Sequence, residues 1–290
     1  MHCEITNTQE ERRFKGLSGT AIKLIALISM VCDHVHYFFG FTGMIPVGFS
    51  MLGRIAAPLF MFCLVEGFTH TRDRVRFFLR IYVIAAAMSA LLFFMTFGGF
   101  LVRPDGFFPM NGMMTTFVIL IIVWQGIEWI ERKRYLKGIL AVVLPVIWPF
   151  VLTDLVRRFP ALNLPLSLVG TSVLPMWNWL SPDTSMSAML AGIVLYLFRK
   201  NRRLQAAAFA VETMLFDFVR IYLVFSQMPG FAFSQMYTAY YEWYGVLAVI
   251  PMLCYNGQRG RGYKKLFYVF YPAHIYGLYA LSWGLYLLMH

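Results

Sequence analysis

The chain has 290 residues, 59% of them hydrophobic and only 13% charged, with a net charge of +11. A soluble domain carries about 25% charged residues and a smaller apolar share, so a soluble fold is excluded. The ~10-residue alternating strands of a membrane β-barrel are absent, and repeated stretches of roughly 20 apolar residues instead point to an all-α, polytopic transmembrane helix bundle.

Residues 1–19 are polar and mixed in charge, and read as a cytoplasmic N-terminal segment. They lack the basic start and small-residue cleavage site of a signal peptide. Apolar segments follow at about 20–41, 51–70, 77–98, 110–130 and 136–155. Between 157 and 182, Pro160, Pro165, Pro175 and Pro182 interrupt helix formation, and Trp177 and Trp179 suit a membrane interface. That stretch reads as an outer-face or re-entrant segment. Further helices are expected at about 183–198, 204–226, 239–256 and 266–288. The count is about nine crossings, bounded by eight and ten, in a single membrane domain over residues 20–290.

Of the 25 Lys and Arg residues, 19 fall in five clusters at 12–15, 72–80, 132–137, 199–203 and 259–265. Each cluster flanks an apolar segment, which is the positive-inside pattern. It puts the N-terminus and the clusters in the cytoplasm and His290 outside, and it accounts for the charge without nucleic acid. The four cysteines show no CxxC spacing, so free thiols are expected rather than a disulfide or a metal site. No P-loop, dinucleotide fingerprint or HExxH is present.

The chemistry lies in polar residues inside the apolar segments, where desolvation makes them costly. Asp33 and His34 stand in the first segment, His34 about 21 Å from its cytoplasmic end. As sequence neighbours they point ~100° apart, so each needs a partner from another helix. Arg54, at similar depth, is the natural counter-ion for Asp33, and His34 is the candidate general base. A purely structural Asp–Arg pair is the alternative. His36 points ~200° away from His34 and is expected to be silent.

Arg54, Pro58, Phe62, Glu66 and His70 recur every fourth residue, as either a tunnel wall or a helix–helix seam. Asn111 and Thr115 offer donors for an oxyanion. Arg72, Arg74 and Arg76 could hold nucleotide phosphates, or serve only to orient the chain. Asp217 and Arg220 have the spacing of a structural ion pair.

Four stretches taken together resemble the TraX family of integral-membrane acyltransferases, named for a protein that acetylates the N-terminus of conjugative F-type pilin. They are KLIALISMVCDHV (23–35), LGRIAAPLFMFCLVEGFTHTRDR (52–74), NGMMTTF (111–117) and FYVFYPAHI (267–275). The resemblance implies Asp33 and His34 as catalytic residues, with Arg54, Glu66, His70, Asn111 and His274 lining the site. Tyr271 belongs to the same Tyr-Pro-x-His block as His274. It further implies a multi-pass protein of the cytoplasmic membrane that uses acetyl-CoA, or another acyl-CoA, as co-substrate and needs no metal. The acceptor would be an amine or hydroxyl on a peptide N-terminus, a glycan or a lipid. Two other readings of the residues stay open: a proton-coupled transporter or flippase, and a haem subunit with His34 and His274 as axial ligands.

Overall fold

The computed structural model describes residues 16–110, 112–177, 185–262 and 264–290, the side chains of 264–267 excepted. Among these residues every regular element is helical.

Helix α1 (Gly19–Phe39) is capped by Ser18, whose hydroxyl accepts from the Ala21 amide, and it runs into a 3₁₀ turn at Gly40–Thr42. The chain reverses at Gly43, whose φ of 69° is readily adopted only by glycine. It returns as α2 (Gly48–Gly53) and α3 (Ala56–His70), which together make one crossing broken at Arg54 and Ile55. Asp73 caps α4 (Arg74–Gly98) by accepting from the Arg76 amide. Helices α5 (Met113–Glu131) and α6 (Tyr135–Arg158) follow. These five crossings are long and apolar enough to span a membrane, and they coincide with the first five expected segments.

Regularity then declines. Residues 160–173 form a 3₁₀ turn, α7 (Asn163–Leu168) and a π turn at Val169–Val173, as the prolines lead one to expect. Trp179 and Pro182 lie outside the described residues. Helix α8 (Met186–Leu197) is apolar but has only 12 residues, about 18 Å of rise. Helix α9 (Arg202–Thr213) continues through a π turn at Met214–Val219 into α10 (Arg220–Phe225). After α11 (Gln235–Thr238), the expected helix at 239–256 is a 3₁₀ run, Tyr241–Ala248, followed by the short α12 (Val249–Leu253). The last helix, α13 (Lys264–Met289), is 26 residues long. The expected Asp217–Arg220 pair is not among the ion pairs of the described residues, and Arg220 donates instead to the Phe216 carbonyl.

Small residues allow close packing where the chain needs it. A Cβ at Gly126 would lie 2.9 Å from the Gly138 carbonyl oxygen, so α5 and α6 meet backbone to backbone. Trp124 and Tyr196 stack in the fully buried centre, and Phe68 packs tilted against the first and edge-on to the second. Helix α6 leaves Leu136, Ile139, Leu140, Leu144, Ile147 and Phe150 exposed, an outward apolar face suited to lipid.

The bundle has two chemically distinct ends. At the start of α1, the Thr20 hydroxyl donates to the carbonyls of Arg259 (3.0 Å) and Arg261 (2.5 Å). Arg202 reaches Glu66 at 3.0 Å, and Arg74 and Arg132 both reach Glu128. The segments carrying four of the basic clusters therefore gather at this one end. The opposite end, where α1 finishes, holds the polar site.

Candidate functional site

The site grows from the last turns of α1. Asp33, His36, Tyr37 and Gly40 fall at i, i+3, i+4 and i+7, hence on one face. That face lines an open cavity of about 640 Å³, completed by Phe41, Ser50, Arg54, Arg103, Asp105, Phe107 and Tyr241.

Gly53 brings α2 onto this face. A Cβ at Gly53 would sit 2.2 Å from the Asp33 Cβ, an approach that only glycine permits. One residue on, Arg54 is carried to the Asp33 carboxylate and donates to Oδ1 at 2.5 Å. The same guanidinium grips Glu242 through Nη1 at 3.0 and 2.8 Å, and Nε donates to the Ser50 carbonyl at 3.1 Å. One arginine thus ties α1, α2 and the Tyr241–Ala248 turn together.

The far wall is held by Arg103, which is 3% exposed. It donates to both Asp105 oxygens at 2.9 and 2.7 Å and to Ser282 at 3.3 Å. Phe41, Phe107 and Tyr286 surround its charge at 4.4–5.2 Å. In the loop after α4, the Arg103 guanidinium holds the Asp105 carboxyl below the usual carboxylate range.

His34 faces elsewhere. It shares the core-directed stripe of α1 with Met30 and Phe38, and meets α13. Its Nδ1 lies 2.7 Å from Nε2 of His274, the two rings nearly parallel at 12°. His274 Nδ1 in turn lies 2.8 Å from the Phe270 carbonyl oxygen. Tyr271 packs edge-on to His274 at 5.8 Å. A metal held between two imidazoles needs about 4 Å between their nitrogens, so the 2.7 Å contact argues against His34 and His274 as axial haem ligands to one iron.

The expected residues therefore divide. Asp33, His34, Arg54, His274 and Tyr271 meet at this end. The tunnel wall does not form: the crossing breaks at Arg54, Phe62 is fully buried, and Glu66 pairs with Arg202 at the basic end. His70 stands 73% exposed at that end. Arg72 is exposed, Arg76 pairs with Asp73 at 3.3 Å, and Arg74 is committed to Glu128 and Gln125. Thr115 meets Ser89 at 3.3 Å within the α4–α5 contact, and Asn111 lies outside the described residues.

His36 does point away from His34, as expected, but toward the cavity, where its Nδ1 lies 3.0 Å from the Ser50 hydroxyl. Sequence reasoning also passed over Arg103, Asp105, Tyr241 and Glu242. The Arg-Pro-Asp-Gly turn at 103–106 was a usable signal, because Asp and Gly at those positions favour a tight reversal.

A family model described as "TraX protein" matches residues 18–246. The segment includes every residue that lines the cavity, while His274 lies beyond it. The chain is 26% identical over 265 residues to the "Probable fimbrial assembly protein FimC, serogroup H1" of Dichelobacter nodosus, covering 89% of this chain and 93% of that protein. No solved structure matches.

Proposed function

The chain belongs to the TraX family, and from that premise we propose that it is a membrane acyltransferase moving an acetyl or other acyl group from acyl-CoA to an amine or hydroxyl. The observation that carries this reading is the Asp33–Arg54–Glu242 network, half-buried at Asp33 and Arg54, beside the His34–His274 pair and lining a cavity open at one end. Charged and titratable groups at membrane depth are retained for function far more often than for packing.

By the positive-inside rule the basic end faces the cytoplasm and the cavity faces the opposite side, with His290 there too. Acyl-CoA then approaches from the basic end, where Arg72 and Arg76 are the exposed donors for its phosphates. Arg74, tied to Glu128, positions that segment instead. The acceptor, a peptide N-terminus, a glycan or a lipid-linked group, enters by the cavity and has to pass its Asp33–Arg54 wall to reach His34, which is not one of the lining residues.

In the reaction, His34 takes a proton from the acceptor as its nitrogen or oxygen bonds to the thioester carbonyl carbon. The carbon–sulfur bond breaks, and the proton passes from the imidazolium to the departing thiolate, giving free CoA and the acylated acceptor. Arg54, which lines the cavity, offers a charged donor to the developing oxyanion. Asp33 holds that guanidinium in place.

The test is transfer from radiolabelled acetyl-CoA to candidate peptides and glycolipids by purified protein in lipid nanodiscs. His34→Ala should lose about 10²–10⁴ of the rate while acyl-CoA binding persists. An inactive His36→Ala beside an active His34→Ala would move the base to the cavity wall, and full activity in both would end the mechanism.

A further inference from the structure

The His34–His274 contact is chemically directional. A backbone carbonyl can only accept, so the 2.8 Å contact with Phe270 requires a proton on His274 Nδ1. A neutral imidazole carries one proton, which leaves His274 Nε2 as an acceptor. The partner facing that acceptor at 2.7 Å is His34 Nδ1, which must therefore be the donor. The remaining nitrogen of His34, Nε2, is then left with a free lone pair. His274 lies in a dry setting, 9% exposed and flanked by the parallel ring of Phe270 at 4.9 Å, and His34 against it is half-buried. Charging either ring there is costly, so the neutral, directional arrangement is the resting one.

We infer that His274 is a positioning residue: through the relay from the Phe270 carbonyl it sets the tautomer of His34 and makes Nε2 the nitrogen that accepts the substrate proton. The inference rests on the acyltransferase reading for its consequence, though the tautomer itself is independent of any activity. Two protons cannot occupy the 2.7 Å space between the rings, so the pair carries at most one positive charge. When Nε2 of His34 takes the acceptor's proton, the positive charge is shared across the contact as His34 Nδ1–H strengthens its bond to His274. The proton then leaves from Nε2 to the thiolate, and the Nδ1 proton never has to move. Tyr271, packed edge-on to His274, and Phe270 keep the ring in register. The two histidines are 240 positions apart, which is why nothing local in the sequence announces the pairing.

The experiment has two arms. In the first, protein with ¹⁵N-labelled histidine is studied in nanodiscs by nitrogen-detected NMR, and His34 is assigned by its absence from the His34→Gln spectrum. The expected result is a neutral ring protonated at Nδ1, and an Nε2–H tautomer would overturn the inference. The second arm compares His274→Gln with His274→Asn. The Gln amide oxygen falls the same number of bonds from Cβ as imidazole Nε2, so it can still accept from His34. The Asn amide reaches only as far as Nδ1 and leaves His34 without an acceptor. His274→Gln should retain most of kcat, while His274→Asn should lose at least ~10²-fold in kcat with KM for acyl-CoA unchanged. Equal losses in the two variants would reduce His274 to packing and overturn the positioning role. If wild-type protein transfers no label, the acyltransferase reading falls while the NMR arm still decides the tautomer. Transfer by a protein whose His34 carries its proton on Nε2 would leave that reading standing and sink this one.

Discussion

Gly53 is where backbone geometry makes the site, and a single methyl group should unmake it. In Gly53→Ala the new Cβ would meet the Asp33 Cβ at 2.2 Å and its Cγ at 2.7 Å. Carbon atoms rest about 3.5–4.0 Å apart, so α1 and α2 must part by roughly 1.5 Å. The nearest atom in the way is the Asp33 Cβ, which is fixed to the backbone and which no rotamer change can move aside. The Arg54–Asp33 hydrogen bond, 2.5 Å long, would stretch toward the limit of an ion pair. Overpacking of this kind costs about 1–3 kcal/mol, and replacing a helical glycine by alanine returns at most about 1 kcal/mol. With that full gain a net loss of about 0–2 kcal/mol remains, together with loss of the proposed acyl transfer. The control is Gly48→Ala on the same helix, where a Cβ meets nothing within 4 Å, and stability should be unchanged or slightly raised. SDS-induced unfolding in mixed micelles measures both variants. Equal stability of the two would refute the close approach of α2 on Asp33.

Two further outcomes follow from the charged network. Arg54→Met strands Asp33, and with side-chain exposures of 23% and 21% for the pair the usual cost of breaking a buried pair falls to roughly 2–4 kcal/mol. Adding Asp33→Asn should restore much of that loss, and a double variant no more stable than the single one would show that the pair is not coupled. The second outcome concerns acid. Because the folded-state Asp105 carboxyl titrates below its unfolded value, its contribution is fully present above the ordinary carboxylate pKa of about 4 and disappears as pH falls through the lower folded value. Asp105→Asn should lack this acid-sensitive component, and parallel pH–stability curves for the two proteins would contradict the Arg103–Asp105 pairing.

Hydrophobicity, periodicity and charge were enough to place the first five crossings, because length and apolarity are set by the bilayer and need no knowledge of neighbours. The basic clusters, and the depth that matches Asp33 with Arg54, were legible for the same reason: along a helix, position in the sequence converts directly to height. Rotation about the helix axis was harder to use. The angles between Asp33, His34 and His36 follow from the sequence, but whether the cavity or the core lies on a given face depends on which helix packs there. That is why His36 came to line the cavity while His34 turned toward α13. The stripe from Arg54 to Glu66 became the seam rather than the tunnel wall, meeting Glu242, Tyr255 and Arg202 in turn, and its upper end breaks at Arg54, which reaches Asp33 and Glu242 together. The partners of the site, His274, Glu242 and Arg103, come from segments far apart in the chain. Only tertiary packing decides which buried polar group finds which, since in a low-dielectric interior each must be satisfied by whatever neighbour the fold supplies.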